Sequence, residues 1–209
     1  MDLRTARNRR VMLKSIAALS AVMVFLPWAD LGGVVHAQSV TVLVAYHSGT
    51  GNTEKMAQGV ADGAKAVSGT TLVLKRVGDV TETDLLSSDA VIVGSPVYFG
   101  NMSGEVKTFF DNWTLKFRLF QDRKMRNKVG GAFATGAAVS NGKELTILTI
   151  FAAMFINQMI VVSGGGGFGA TATTGPDSPG IDEKELADAR DLGKRVAEIA
   201  ALVKRGSTK

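Results

Sequence analysis

The chain contains no cysteine, so disulfides, thiolate metal sites and cysteine nucleophiles are excluded together, and cysteine usage says nothing about compartment. It also has no basic run interleaved with aromatics, the footprint expected of a nucleic-acid binder. The net charge of +5 does not restore that reading, because Arg4, Arg7, Arg9, Arg10 and Lys14 against Asp2 and Asp30 place +3 in the first 37 residues and leave +2 for everything after them. With 209 residues and 45% hydrophobic content, the chain is long enough for one well-buried domain and cramped for two.

Residues 1–37 read as an export signal. A basic start precedes an apolar core from Ser15 to Leu26, a break at Pro27, and the small-residue site Val35-His36-Ala37, with cleavage expected before Gln38. The apolar core is shorter than the roughly 20 residues of a spanning helix; extended past Asp30 to Val35 it would instead be an uncleaved membrane anchor. Arg9-Arg10-Val11-Met12-Leu13-Lys14 resembles the twin-arginine signal, which predicts a periplasmic destination.

The most informative stretch is Val42–Thr53, VLVAYHSGTGNT. An apolar run rich in β-branched residues predicts a parallel strand covered on both faces. It leads into Ser48-Gly49-Thr50-Gly51-Asn52-Thr53, and Met56, Val60, Ala64 and Val67 then recur at helical spacing. The pattern reads as a phosphate cradle made of hydroxyls and first-turn amides; an ordinary Ser/Thr helix cap is the other reading. The loop matches neither GxxxxGK[ST] nor GxGxxG and contains no cation, which suits a terminal phosphate monoester. Ser48, Thr50, Gly51 and Thr53 resemble the [ST]-x-T-G-x-T loop of the flavodoxins, and that resemblance implies FMN as the ligand.

Further strands are expected at Leu72–Val77, at Ala90–Ser95 with a stop at Pro96, at Val129–Thr135, and at Met159–Val162. A short helix is expected within Thr81–Ser88 and a buried one from Leu145 to about Asn157. After Ser103, Val106, Phe109, Phe110, Trp113 and Phe117 form a helical stripe that reads as core, with Trp113 and Phe117 open to a role at the rim of a quinone pocket. Ser163–Asp182 is rich in glycine and proline and is expected to hold no regular element; it is either a lid or a connector. A last helix follows from about Asp182, with Leu186, Ala189, Gly193, Val196, Ala200 and Val203 on one face.

The run Gly94–Gly104, GSPVYFGNMSG, leaves a strand's carboxyl end, where open α/β sheets bind ligands. Tyr98 and Phe99 within it read as a stacking surface for a flat ring or as core. The run is similar to that of the NAD(P)H:quinone oxidoreductases of the flavodoxin superfamily, the tryptophan-repressor-binding-protein type. That resemblance places Pro96, Val97, Tyr98, Phe99 and Gly100 against the flavin ring, and Thr135, Gly136, Ala137, Ser140, Asn141 and Gly142 at its pyrimidine edge. It implies a flavodoxin-like three-layer α/β sandwich with a five-stranded parallel sheet in the order 2-1-3-4-5, residues 38–209 forming the FMN-binding domain. It also implies two-electron reduction of a quinone or similar small acceptor with NAD(P)H as donor, the flavin carrying the chemistry and no catalytic side chain required. An exported one-electron carrier serving a redox partner protein is the alternative, a cofactor-free interaction module is a third, and a homo-oligomer is left open. Two family features are missing: a histidine near Asn157 that touches the flavin, and a longer insertion between the second and third strands.

Overall fold

The computed structural model describes residues 39–164, 166–175 and 180–207. The expected leader and its cleavage point before Gln38 therefore lie outside the described residues. Ala37–Lys209 forms one compact unit.

Strands β1 (Val40–Tyr46), β2 (Thr70–Arg76), β3 (Ala90–Tyr98) and β5 (Val129–Gly136) form a parallel core in the order β2-β1-β3-β5, and β6 (Ile160–Val161) follows on the far side of β5. The two-residue β4 (Asn101–Met102) pairs antiparallel with the end of β3, and β7 (Ala170–Thr173) resumes the edge beside β5. Setting β4 aside, the order is the expected 2-1-3-4-5 with a broken fifth strand. Helices α1 (Asn52–Lys65), α2 (Glu82–Ser87), α3 (Gly104–Leu115), α4 (Lys143–Ile156) and α5 (Glu183–Gly206) cover the two faces.

The two-residue period of β1 explains the layers. Val42, Val44 and Tyr46 point to the face covered by α1 and α5, while Leu43 and Ala45 point to the face covered by α2, α3 and α4. β3 repeats this with Ala90 and Ile92 on one face and Val91 and Val93 on the other. Alternate side chains thus enter two separate cores, and an almost wholly apolar strand is the result.

Three expectations need correction. Pro96 does not end β3, which runs on to Tyr98 with Pro96 opposite Thr135. β1 pairs only as far as Gly94, so beyond that point β3 has a free edge and the missing N–H of proline breaks no ladder there. The 163–182 stretch does hold a regular element, since β7 alternates buried Ala170 and Ala172 with half-buried Thr171 and Thr173; flanking glycines and prolines hide the alternation. Finally, α4 is not buried all round: Ile147, Ile150, Phe151 and Met154 enter the core, but Leu145, Leu148, Phe155 and Ile156 remain exposed. Among the described residues no helix is long and apolar enough to cross a membrane.

The α1–α5 contact leaves no room for a Cβ. One built on Gly63 would lie 1.9 Å from the Arg190 carbonyl oxygen, and one on Gly193 would lie 1.9 Å from that of Val60. Gly193→Ala should therefore destabilise the fold by about 1–3 kcal/mol, even though alanine is the better helix former by about 1 kcal/mol; urea unfolding checks this, and a stabilised variant would contradict it. At α2, Asp84 closes a capping box with Thr81 and pairs with Lys75 at 2.7 Å. Burial raises the Asp84 pKa, but the hydrogen bonds from Lys75 and Thr81 outweigh it and hold the carboxyl below its usual value. The stability this gives is present above the unfolded-state pKa of about 3.9 and is lost as pH falls through the lower folded value. Asp84→Asn should lower stability at neutral pH by about 1 kcal/mol and flatten the acid limb of a stability-against-pH curve.

Candidate functional site

The N-cap position of α1 is Gly51, whose φ of +88° puts it in the left-handed region, and the helix start carries no side-chain cap. The helix-cap reading of the Ser/Thr loop is therefore wrong. Ser48 Oγ accepts from the Gly51 N–H at 3.1 Å, and Asn52 Nδ2 donates to Thr50 Oγ1 at 3.2 Å; both bonds shape the loop and leave the helix's first-turn amides without a cap. Gly49, Thr50 and Gly51 are exposed, Asn52 is half-buried, and Ser48 and Thr53 are buried. Amides at the positive end of a helix, together with adjacent hydroxyls, form an anion site.

The second loop is a hairpin. Val97 pairs with Met102 and Tyr98 with Asn101, which leaves Phe99 and Gly100 as the two turn residues, both with positive φ, +50° and +80°. A two-residue turn of that kind favours Asn-Gly, and a bulky aromatic there is a genuine outlier. Phe99 also has no cover, with an exposure of 109%, while Tyr98 is 47% exposed. Neither ring is core. Ser95 fixes the base of the hairpin, donating from Oγ to the Pro96 carbonyl at 2.8 Å and accepting from the Ser103 N–H at 2.9 Å.

In the third loop, Thr135 and Gly136 are buried, Ala137 to Ser140 are exposed, and Asn141 and Gly142 are half-buried. With its amide turned to satisfy both groups, Asn141 donates to the Ala138 carbonyl at 3.0 Å and accepts from the Ala137 N–H at 2.9 Å. The loop thus ties itself.

The three loops meet one another. Thr53 Oγ1 and Thr135 Oγ1 share a buried 2.8 Å hydrogen bond between the first and third. A Cβ on Gly49 would lie 2.9 Å from the Tyr98 hydroxyl, and one on Gly142 would lie 2.8 Å from the Gly100 carbonyl oxygen, so the second loop touches both of the others. All the sequence-chosen residues are accordingly gathered at the sheet's carboxyl edge. Asn157 is not, since it caps the far end of α4, about 20 Å along the helix from Gly142. Trp113 is wholly buried and cannot rim a pocket; Phe117 does line one, a groove of about 810 Å³ bordered also by Tyr98, His47, Arg76, Asp79 and Lys116. The short connection after β2 forms part of its wall through Val77, Gly78 and Asp79.

Two braces were not visible in the sequence. Arg76, the last residue of β2, donates to the Ser48 carbonyl at 2.9 Å, pairs with Glu54 at 2.6 Å and lies over the Tyr46 ring. Tyr46 in turn donates to Glu54 at 2.8 Å, and burial followed by the Glu54 carboxylate raises its phenol pKa. The other brace is Lys143, whose buried ammonium donates to the carbonyls of Ala138 at 2.7 Å and Val139 at 3.2 Å and to Thr173 Oγ1 at 3.1 Å. Burial lowers its pKa, with Glu144 and Glu185 opposing. The Arg76–Ser48 and Lys143–Thr173 contacts join residues that only the folded sheet brings together. A basic residue at the first position of an apolar helix would have been the one hint of Lys143.

An open parallel sheet with an uncapped helix start after β1, an aromatic hairpin at the end of β3 and a small-residue loop after β5 defines a flavodoxin-type mononucleotide site. Comparison with known proteins makes the assignment specific. Residues 39–173 match the family model described as NADPH-dependent FMN reductase, and the chain belongs to that family. It is 34% identical over 193 residues to an NAD(P)H dehydrogenase (quinone) of Archaeoglobus fulgidus, covering 76% of this chain and 96% of that one. A protein of the same description from Chromohalobacter salexigens is 32% identical over 197 residues, covering 77% and 96%. Among solved structures, a WrbA-like flavodoxin from Agrobacterium tumefaciens superposes with a TM-score of 0.68 at 29% identity over 78% of this chain and 99% of that one. An archaeal flavodoxin with a TM-score of 0.61 at 22% identity, over 77% and 98%, shares the fold.

The family's cofactor is FMN, and the donor set fits it: uncapped amides and hydroxyls for a phosphate, uncovered rings for a flat heterocycle. Because the Phe99 backbone is strained and its ring touches no core, Phe99→Asn should raise fold stability by about 1 kcal/mol while weakening FMN binding at least several-fold. Thermal melting without added flavin and flavin-fluorescence titration check the two halves; loss of stability in the variant would show that the ring packs structurally.

Proposed function

We propose that this chain is an FMN-dependent oxidoreductase that reduces quinones by two electrons with NAD(P)H as donor. The observation that carries the reading is the uncapped start of α1, held open by Ser48 and Thr53 and joined to two further loops. Ser48, Gly49, Thr50, Gly51, Asn52 and Thr53 would hold the phosphate. Pro96, Val97, Tyr98, Phe99 and Gly100 would face the ring, and Thr135, Gly136, Ala137, Ser140, Asn141 and Gly142 its polar edge. Bound flavin supplies hydride acceptance and donation; the protein supplies binding, orientation and electrostatics.

The 810 Å³ groove beside Tyr98 would admit the second reactant, with Phe117 and Tyr98 offering apolar surface and Lys116 and His47 polar contacts. Relatives named for NAD(P)H and quinone, matched over nearly their whole length, support the choice of donor and acceptor. Residues 1–37 we read as a twin-arginine leader cleaved before Gln38, which sends the domain to the periplasm; left uncleaved, it is an anchor. Export would separate the domain from cytoplasmic NAD(P)H, which supports the second reading, a one-electron carrier reduced by a redox partner protein.

Protein purified from flavin-replete cells should be yellow and should turn over NAD(P)H with benzoquinone. Thr53→Val, which removes a hydroxyl from the cradle and breaks the bond to Thr135, should weaken FMN about 10- to 100-fold, the range for a hydrogen bond to a charged group. A yellow protein without quinone turnover would leave the carrier reading standing; a colourless one would remove both.

A further inference from the structure

The amino edge of the sheet lies about 25 Å from the loops along β5 and has a different chemistry. Past Lys116, which lines the groove beside Tyr98, the connection from α3 to β5 holds Arg118, Arg123, Lys124, Arg126 and Lys128 against a single acid, Asp122. That is +4 within a body whose net charge is +2, so the remainder of the body is net negative. Asp122 lies near Lys124 at 3.5 Å; Arg118, Arg123 and Arg126 are exposed and form no ion pair among the described residues.

Large apolar side chains stand among these cations. Leu115 is 79% exposed, Phe120 44% and Ile156, at the end of α4, 67%. Phe120, Arg123 and Ile156 line one shallow cleft, and Leu115, Phe120 and Ile156 border a larger one. The segment is firmly held, because Leu119 and Met125 are wholly buried and the Leu119 N–H donates to the Trp113 carbonyl at 2.7 Å. Arg118 and Arg123 hold left-handed backbone, φ +53° and +51°, where an ordinary solvated turn would use glycine or asparagine.

We propose that this amino edge docks on an anionic lipid surface, with Arg118, Arg123 and Arg126 among the headgroups and Leu115, Phe120 and Ile156 at the acyl boundary. Exposed cations and apolar side chains on one edge match such a surface in both charge and polarity. A second copy is the poorer occupant, because a two-fold contact through this patch sets its arginines against themselves. Docked this way, the carboxyl-edge loops face water about 25 Å from the lipid.

The test uses the body Gln38–Lys209, which lies within one compact unit and contains the whole stretch that matches the family model, residues 39–173. It should co-sediment with phosphatidylcholine vesicles containing about one third phosphatidylglycerol and not with pure phosphatidylcholine vesicles, and high salt should release it. Arg126→Gln should weaken binding about fivefold, and adding Arg118→Asn and Arg123→Asn should bring the loss to roughly a hundredfold, with asparagine chosen to tolerate the left-handed backbone. Leu115→Ser with Ile156→Ser should weaken binding while leaving its dependence on phosphatidylglycerol. Circular dichroism and thermal melting confirm folding independently of any flavin. The proposal is overturned by absence of co-sedimentation, by equal binding to both vesicle types, by folded arginine variants that bind like the unmodified body, or by an apolar variant that splits an oligomer with vesicle binding intact.

Discussion

The first turn of α1 has donors and no cap, and much of the molecule serves to keep it that way. Gly51 opens the helix with a left-handed residue in place of a capping hydroxyl, and Ser48 turns its oxygen to the loop's own backbone. Arg76 reaches over from β2 to hold the Ser48 carbonyl and the Glu54 carboxylate, which fixes the loop from outside without placing a cation inside it. An anion bound there meets amides and hydroxyls, a donor set that suits a phosphate monoester.

The parallel sheet makes this local arrangement into a site. Its strands all deliver their following loops to one edge, so loops separated by tens of residues in sequence become neighbours. The Thr53–Thr135 bond spans 82 positions, and Gly100 sits against Gly142. Strain at Phe99 is tolerated because the hairpin beneath it is anchored by Ser95 and by strand pairing. The same topology sends every helix-to-strand connection to the opposite edge, where the cations collect.

What was legible in the sequence follows from range. The strands of β1 and β3 could be read because their apolar runs record two buried faces, and the phosphate loop because hydroxyls, glycines and a helical period lie within a dozen residues. Phe99 could be chosen, but its bare exposure and backbone strain could not. Arg76 and Lys143 were missed because their partners, Ser48 and Thr173, lie about 30 residues away in sequence and are adjacent only after folding. β7 was missed because its four residues sit among glycines and prolines, and the continuation of β3 through Pro96 because the early end of β1 is a property of the sheet and not of the strand itself. Trp113 and Phe117 lie on one helical stripe in sequence, yet the first is sealed in the core and the second lines a groove.

The central claim is that a phosphate is what the start of α1 recognises. Paired titrations of the flavin-free protein with FMN and with riboflavin, followed by quenching of flavin fluorescence, test it directly because the two ligands share the ring and differ in the phosphate. The account predicts that FMN binds at least about a hundredfold more tightly, the value of two or more charge-assisted hydrogen bonds. Equal affinity for the two flavins would contradict it.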